Sequence, residues 1–363
     1  MIRRQLINFQ NRSVDYRVGF GALEELSRML SSAVGRPRQA LLVATAPELD
    51  RFGETVRRSL SDAGFAFGEL VFDAADVADL PHASQLFDAL DDAGVTADDL
   101  IVALGGSAVC SLVGWAGEMW CGRTESLLIP TTLDAMVTVA TTMDPIATAS
   151  GAPMVSLSPQ PAVVCCDLDI VKAAAPEELK PGYVKLLVSI LASSVTRWNQ
   201  FGESLGDLLV ADELALINAL QWSQSSRRDV LTATNPSARH ALSFGEPGAR
   251  ALRRCLGDDI PAYRLLAEGM RFEARLAHEI ADFDVDDVFE LDDRLDDLGI
   301  DELAFDLDTQ SFLDALRTEH FRRTNRFMFA LPACPGAIRL YVVEDDVLER
   351  HAEAYLASRR ELQ

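Results

Sequence analysis

The first half of this chain is punctuated by short apolar runs that have no polar face. Gln39–Thr45 (Gln-Ala-Leu-Leu-Val-Ala-Thr) and Leu100–Leu104 (Leu-Ile-Val-Ala-Leu) are apolar at odd and even positions alike. A strand with one side in water alternates; a run like these is buried on both faces, which is the habit of strands inside a parallel sheet. Parallel neighbours need a crossover of a dozen or more residues. The sequence supplies them, with helical patterns over 47–63, 80–93 and 108–119, the first two stopped by Gly64 and Gly94. Further strands are expected at Phe65–Phe72, Ser126–Pro130 and Pro161–Asp167. An extended Leu6–Val18 segment precedes Gly19-Phe-Gly21 and a helix over Ala22–Ala33. The expectation is a doubly wound, Rossmann-like α/β domain.

Beyond about Pro176 the period changes to 3.6. Helical stretches are expected at Tyr183–Trp198, Leu205–Ser226, Ala249–Leu256, Ala262–Ala281, Val288–Leu298 and Thr309–Thr318. A small hairpin (Phe327–Leu331 with Ala337–Val343) and a last helix over Asp345–Arg359 follow. The domains expected are therefore 1–172, α/β, and 173–363, mainly helical, with a functional cleft between them.

A formal net charge of −23 excludes nucleic acid and anionic membrane as partners, because both need a basic face. No apolar run approaches the roughly 20 residues of a membrane span, and Met1–Phe9 lacks the apolar core of a secretion signal. The six cysteines include no C-x-x-C spacing. They read as reduced, mostly buried thiols of a cytoplasmic protein.

The chemistry-bearing residues cluster in a few blocks. The second half carries Arg239-His-Ala-Leu-Ser-Phe-Gly-Glu-Pro-Gly-Ala-Arg250 and, further on, Ala262…Gly269-Met270. The first half carries Gly19-x-Gly21, Leu104-Gly-Gly-Ser-Ala-Val-Cys-Ser111, Pro130-Thr-Thr-Leu133 and Gln160-Pro161 before a strand ending in Asp167. In this order and spacing, over nearly the whole chain, the blocks resemble the dehydroquinate synthase and sugar phosphate cyclase family. That resemblance implies an NAD cofactor, a zinc ion and a phosphate-bearing substrate. The departures from it are specific. Where the family has Arg-x-x-Leu-Asn-Phe-Gly-His-x-x-x-His, this chain has Ser243 for the Asn, Glu246 for the first His and Arg250 for the second. Ala262 falls on the later His, and Lys185 on the metal-binding Glu. Ser111 stands for a carboxylate, Asp144 for a lysine, and Ala75-Asp76-Val-Ala-Asp79 for a Gly-Glu-x-x-Lys turn. The resemblance thus points to a divergent member without the zinc ligands or the catalytic lysine, and to no metal site. Zinc needs three or four converging N, S or O donors.

Several candidate site residues follow. Lys185, Glu246 and Arg250 would meet in the former metal position. They are either an ion-paired cluster that only holds structure, or a site for an anionic or polar ligand in which Lys185 serves as general base. His240 and His320 are the candidate proton-transfer groups, or else surface and capping residues. Arg239, Arg322 and Arg323 are the substrate-binding candidates; the alternatives are a salt bridge to an acidic helix and exposed helix ends. Gly105, Gly106 and Ser107, with Thr131 and Thr132, form a candidate cradle for the NAD pyrophosphate, or a tight turn kept from an ancestor.

Two functions remain open. One is a metal-independent cyclase- or lyase-type enzyme of specialised metabolism, acting on a small polar or anionic substrate as a homodimer. The other is a pseudoenzyme that partners or regulates another enzyme. Ordinary dehydroquinate synthase activity is not expected.

Overall fold

The computed structural model describes residues 1–10, 12–33, 38–74, 76–149, 151–156, 158 and 160–363. Ala75, in the expected Ala75–Asp79 replacement turn, lies outside the described residues. The chain forms two compact units: Met1–Gly182 with Ala211–Gln224, and Tyr183–Val210 with Ser225–Gln363. The first break thus falls ten residues after the expected 172/173 boundary, and residues 211–224 belong to the first unit.

The first unit is an α/β layer. Its strands are β1 (Arg3–Asn8), β2 (Ser13–Gly19), β3 (Gln39–Thr45), β4 (Ala66–Phe72), β5 (Leu100–Gly105), β6 (Glu125–Pro130), β7 (Ile146–Ala147), β8 (Pro153–Val155) and β9 (Val163–Asp167). Seven of these make one sheet in the order β1-β2-β9-β6-β5-β3-β4, while β7 and β8 form a separate ribbon. All pairs in the large sheet are parallel except β1 against β2. Every residue of β5 and β9 is buried, as the unbroken apolar runs require. The connecting helices are α1 (Leu26–Ala33), α2 (Ala46–Asp62), α3 (Leu80–Asp92), α4 (Ser107–Met119), α5 (Leu133–Thr138) and α6 (Leu168–Ala173). Asp167, at the end of β9, accepts the Leu23 N–H at 2.9 Å and the Gly21 N–H at 3.2 Å. The Gly19-x-Gly21 and Asp167 signals are therefore two halves of one turn.

The chain crosses between the units inside α7 (Pro176–Leu191) and α10 (Glu213–Thr232); α8 (Val195–Glu203) and α9 (Leu205–Leu209) lie between. The second unit continues with a 3-10 turn at Ala238–Ser243, α11 (Glu246–Leu256), α12 (Ala262–Ile280), α13 (Val285–Asp297) and α14 (Thr309–Phe321). It ends with the hairpin β10 (Phe329–Pro332) and β11 (Ile338–Tyr341) and with α15 (Asp345–Arg360). Its core is aromatic, around Trp198, Phe201, Phe244, Phe272, Phe283, Phe312 and Phe329.

The expected Tyr183–Trp198 helix is two helices. Ser194 caps the second by accepting the Arg197 N–H at 3.3 Å. The expected Leu205–Ser226 helix is also divided, with Ala211 at φ 54° between the parts. All six cysteines are free. Cys110, Cys165 and Cys166 are buried, Cys255 is half-buried, and Cys121 and Cys334 are exposed. No helix among the described residues is long and apolar enough to cross a membrane.

Candidate functional site

In the first unit, β3 has β4 on one side and β5 on the other. The order of winding reverses here, and the carboxyl ends of strands flanking such a reversal are where open α/β sheets bind ligands. Gly105 ends β5, and Gly106 leads into α4, whose first turn presents backbone N–H groups. Beside it Thr131 donates its N–H to the Gly105 carbonyl at 2.9 Å. A Cβ added to Gly106 would reach only Thr132, at 3.6 Å, so the glycine leaves a small gap facing that side chain. The Thr131 and Thr132 hydroxyl oxygens are buried, with no protein partner among the described residues. Ser107 donates its hydroxyl to Asp134 at 2.6 Å. A helix N-terminus, a bare glycine and two orphaned hydroxyls fit a dinucleotide pyrophosphate. Two of the substitutions behave as a pair: the Asp144 N–H donates to the Ser111 hydroxyl at 2.9 Å, so Ser111 fixes the backbone at Asp144.

In the second unit the frame is set by the approach of α11 to α12. Gly245 has φ +83°, and a Cβ there would lie 2.6 Å from Met270 Cγ. A Cβ on Gly269 would lie 2.0 Å from the Gly245 carbonyl oxygen, and one on Gly248 would lie 3.0 Å from Gly269 Cα. Only glycines permit backbones this close. Glu273, fully buried on α12, accepts the N–H groups of Gly245 at 2.8 Å and Gly248 at 3.1 Å. It thereby satisfies two of the orphan donors at the start of α11. Burial raises its carboxyl from 4.5 to about 8, against the pull of the two N–H groups and the Arg250 charge.

Glu246 is the first residue of α11, and Arg250 lies one turn on. The Arg250 guanidinium donates to Oε2 of Glu246 at 3.1 Å, and Lys185 Nζ, on α7, stands 3.6 Å from Oε1. All three side chains are half-buried. Burial pushes the Glu246 carboxyl up, but the Lys185 and Arg250 charges prevail and hold it below the usual range. Burial lowers the Arg250 guanidinium, against the pull of Glu246.

Arg322 and Arg323 follow directly on the neighbouring helix α14. Both bind Glu319, at 3.2 and 2.9 Å, and Arg254 of α11 binds the same carboxylate at 3.2 Å. His320 is packed against Phe327, its Nε2 is 2.6 Å from the Arg326 carbonyl oxygen, and burial lowers its pKa. Arg239 and His240 sit exposed on the 3-10 turn, where Arg239 donates to the Ala233 carbonyl at 2.7 Å. Among the described residues no hydrogen bond or ion pair joins either of them to the Lys185–Glu246–Arg250 group.

Sequence reasoning missed three participants. Glu319 and its arginines were legible as an i, i+3 and i, i+4 spacing on one helix. Glu273 was legible as a lone carboxylate on the apolar face that carries Gly269 and Met270. Arg254 carried no signal, because only the packing of α11 on α14 brings it to Glu319.

Residues 70–181 match the family model described as 3-dehydroquinate synthase N-terminal. A 3-dehydroquinate synthase from Synechococcus sp. (strain CC9605) is 25% identical over 341 residues, 91% of this chain and 90% of that protein. Over most of its length the chain is similar to 3-dehydroquinate synthases. Its fold is that of a solved 2-deoxy-scyllo-inosose synthase complexed with carbaglucose-6-phosphate, NAD+ and Co2+: TM-score 0.84, 17% identity, 97% and 100% of the two chains covered. The 2-epi-5-epi-valiolone synthase from Streptomyces hygroscopicus subsp. jinggangensis 5008, with NAD+ and Zn2+ bound, is also similar: TM-score 0.80, 19% identity, 98% and 99% covered. Both the Rossmann-like first half and the mainly helical remainder agree with these structures.

The donors of this chain do not fit such a metal. Of the positions aligned with the family's zinc ligands, only Glu246 offers a carboxylate. Both its oxygens already face cations, and Lys185, Arg250 and Ala262 present no lone pair. Among the described residues no three His, Cys, Asp or Glu side chains are grouped to hold a metal ion.

Proposed function

We propose that this chain is an enzyme of cyclase or lyase type that acts without a metal on a small polar or anionic substrate, outside the ordinary 3-dehydroquinate synthase reaction. The observation that supports the reading is the Lys185–Glu246–Arg250 ion-paired group, at positions where the family resemblance puts metal ligands. Simple decay of a metal site leaves small neutral residues, as at Ala262 and Ser243. Here a carboxylate is kept below its usual pKa between an ammonium and a guanidinium. In this reading Arg250 stabilises negative charge on the substrate, and Lys185 and Glu246 hold and move a proton, in a setting where a fixed charge works harder than in water. His240 and His320 are further proton-transfer candidates. Arg239, Arg322 and Arg323 would hold the substrate.

NAD is the cofactor of this reading. Gly105, Gly106 and Ser107 would hold its pyrophosphate, with the Thr131 and Thr132 hydroxyls as additional donors. When bound, it supplies a hydride acceptor. The reading also takes the protein to be a cytoplasmic homodimer of specialised metabolism.

A second reading, a non-catalytic partner of another enzyme, is favoured by one observation: both oxygens of Glu246 are engaged by cations of its own chain. Chelator-treated protein should be mixed with NAD and a set of polyol phosphates and acids, and the mixture followed by mass spectrometry. Turnover that is unchanged by added Zn2+ and lost in Lys185→Met is the expected result. Turnover only with Zn2+ would sink the metal-free reading, and none under any condition would leave the partner reading.

A further inference from the structure

The group around Glu246 is one part of a larger basic cluster on α7, α11 and α14 of the second unit. Its cations are Lys185, Arg250, Arg254, Arg322 and Arg323; its paired carboxylates are Glu246 and Glu319. The two parts are joined through α11, on which Arg250 of one part and Arg254 of the other lie one turn apart. Five cations therefore face two carboxylates, in a chain that carries 33 Lys and Arg against 56 Asp and Glu. Counting the buried Glu273 as ionised still leaves a surplus of two positive charges.

The hydrogen bonds are also unbalanced. Arg250, Arg254, Arg322 and Arg323 each commit only Nη1 to a carboxylate. Among the described residues the Nη2 of each has no protein acceptor, and the Nε of Arg250 is buried without one. Three guanidiniums share Glu319, whose side chain is 11% exposed. A guanidinium fork prefers two parallel bonds to one oxyanion, and four forks here are each half used.

We propose that this cluster binds a small doubly charged oxyanion, a phosphate or a dicarboxylate, at the place where the family resemblance puts a metal cation. The inference rests on the metal-free reading above and inverts the charge preference of the site. Glu246 and Glu319 then serve as fixed spacers that keep the guanidiniums apart until the anion arrives. Removing a spacer should strengthen anion binding, whereas removing a guanidinium should weaken it.

The test is calorimetric titration of the chelator-treated, full-length protein at low salt, with inorganic phosphate, with malonate and with Zn2+. Phosphate or malonate should bind with a Kd of about 1 mM or tighter; which of the two binds more tightly identifies the source of the oxyanion. Arg250→Gln and Arg323→Gln should each weaken it about tenfold or more, while Glu319→Gln should tighten it. Far-ultraviolet circular dichroism verifies folding, and Arg322→Gln, at an exposed helix end, replaces either arginine variant that does not fold. No heat with either anion at about 20 mM, or unchanged affinity in the arginine variants, overturns the inference and leaves the metal-free reading standing. Zn2+ binding that Glu246→Gln abolishes overturns both.

Discussion

At the scale of single residues, the question is why carboxylates sit beside α11. Glu273 is retained inside because two backbone N–H groups need an acceptor there, and its burial raises its pKa to about 8. A raised folded-state pKa means that the folded protein holds a proton the unfolded chain has released. The stability from this group is therefore complete below the unfolded value of 4.5 and is lost as pH rises through about 8. The melting temperature should fall by a few degrees, roughly 2–5 °C, between pH 6 and pH 9. In Glu273→Gln most of that fall should disappear, as measured by scanning calorimetry at both pH values. An undiminished slope in the variant would mean that other groups set the dependence. Glu246 behaves in the opposite sense: Lys185 and Arg250 hold it ionised although burial opposes this. The identities at 185, 246 and 250 were legible from the sequence as departures from a ligand pattern. Their convergence is a geometric fact that required α7 and α11 to pack.

At the scale of elements, the α11–α12 crossing is the decisive contact. Helix axes packed through ordinary side chains lie roughly 8–10 Å apart; Gly245, Gly248 and Gly269 bring these backbones into contact instead. Gly269→Ala would place a Cβ 2.0 Å from the Gly245 carbonyl and 2.7 Å from the Ala249 nitrogen, both rigid backbone atoms. We expect a loss of about 3 kcal/mol or more, read as a lower denaturation midpoint. A neutral Gly269→Ala would mean that the helices separate freely. Element types were readable because period 2, period 3.6 and fully apolar runs differ plainly. Element ends were less so. The Tyr183–Trp198 period continues through Ser193 and Ser194, but the chain breaks there, where Gly336 packs so closely that a Cβ on it would lie 2.9 Å from the Ser193 carbonyl. That contact joins residues more than a hundred positions apart, and no local window contains it.

At the scale of the whole molecule, charge is the dominant variable. A net charge of −23 repels itself, and added salt screens the repulsion. Going from about 20 mM to about 300 mM salt shortens the screening length from about 20 Å to about 6 Å. The apparent melting temperature should rise by a few degrees over that range in a fluorescence-monitored melt; a fall would show that the arginine–carboxylate pairs of the second unit outweigh the repulsion. The sequence by itself determined the parallel sheet, the change to helical architecture and the excess of negative charge. Each depends only on which residue types occur and at what spacing. Tertiary structure alone decided that Asp167 holds the Gly19–Gly21 turn, that Glu273 caps α11, and that Arg254 joins Arg322 and Arg323 on Glu319. Such pairings join residues from 25 to well over a hundred positions apart. Propensity and periodicity act over a few turns of chain, whereas a hydrogen bond or an ion pair depends only on distance in space.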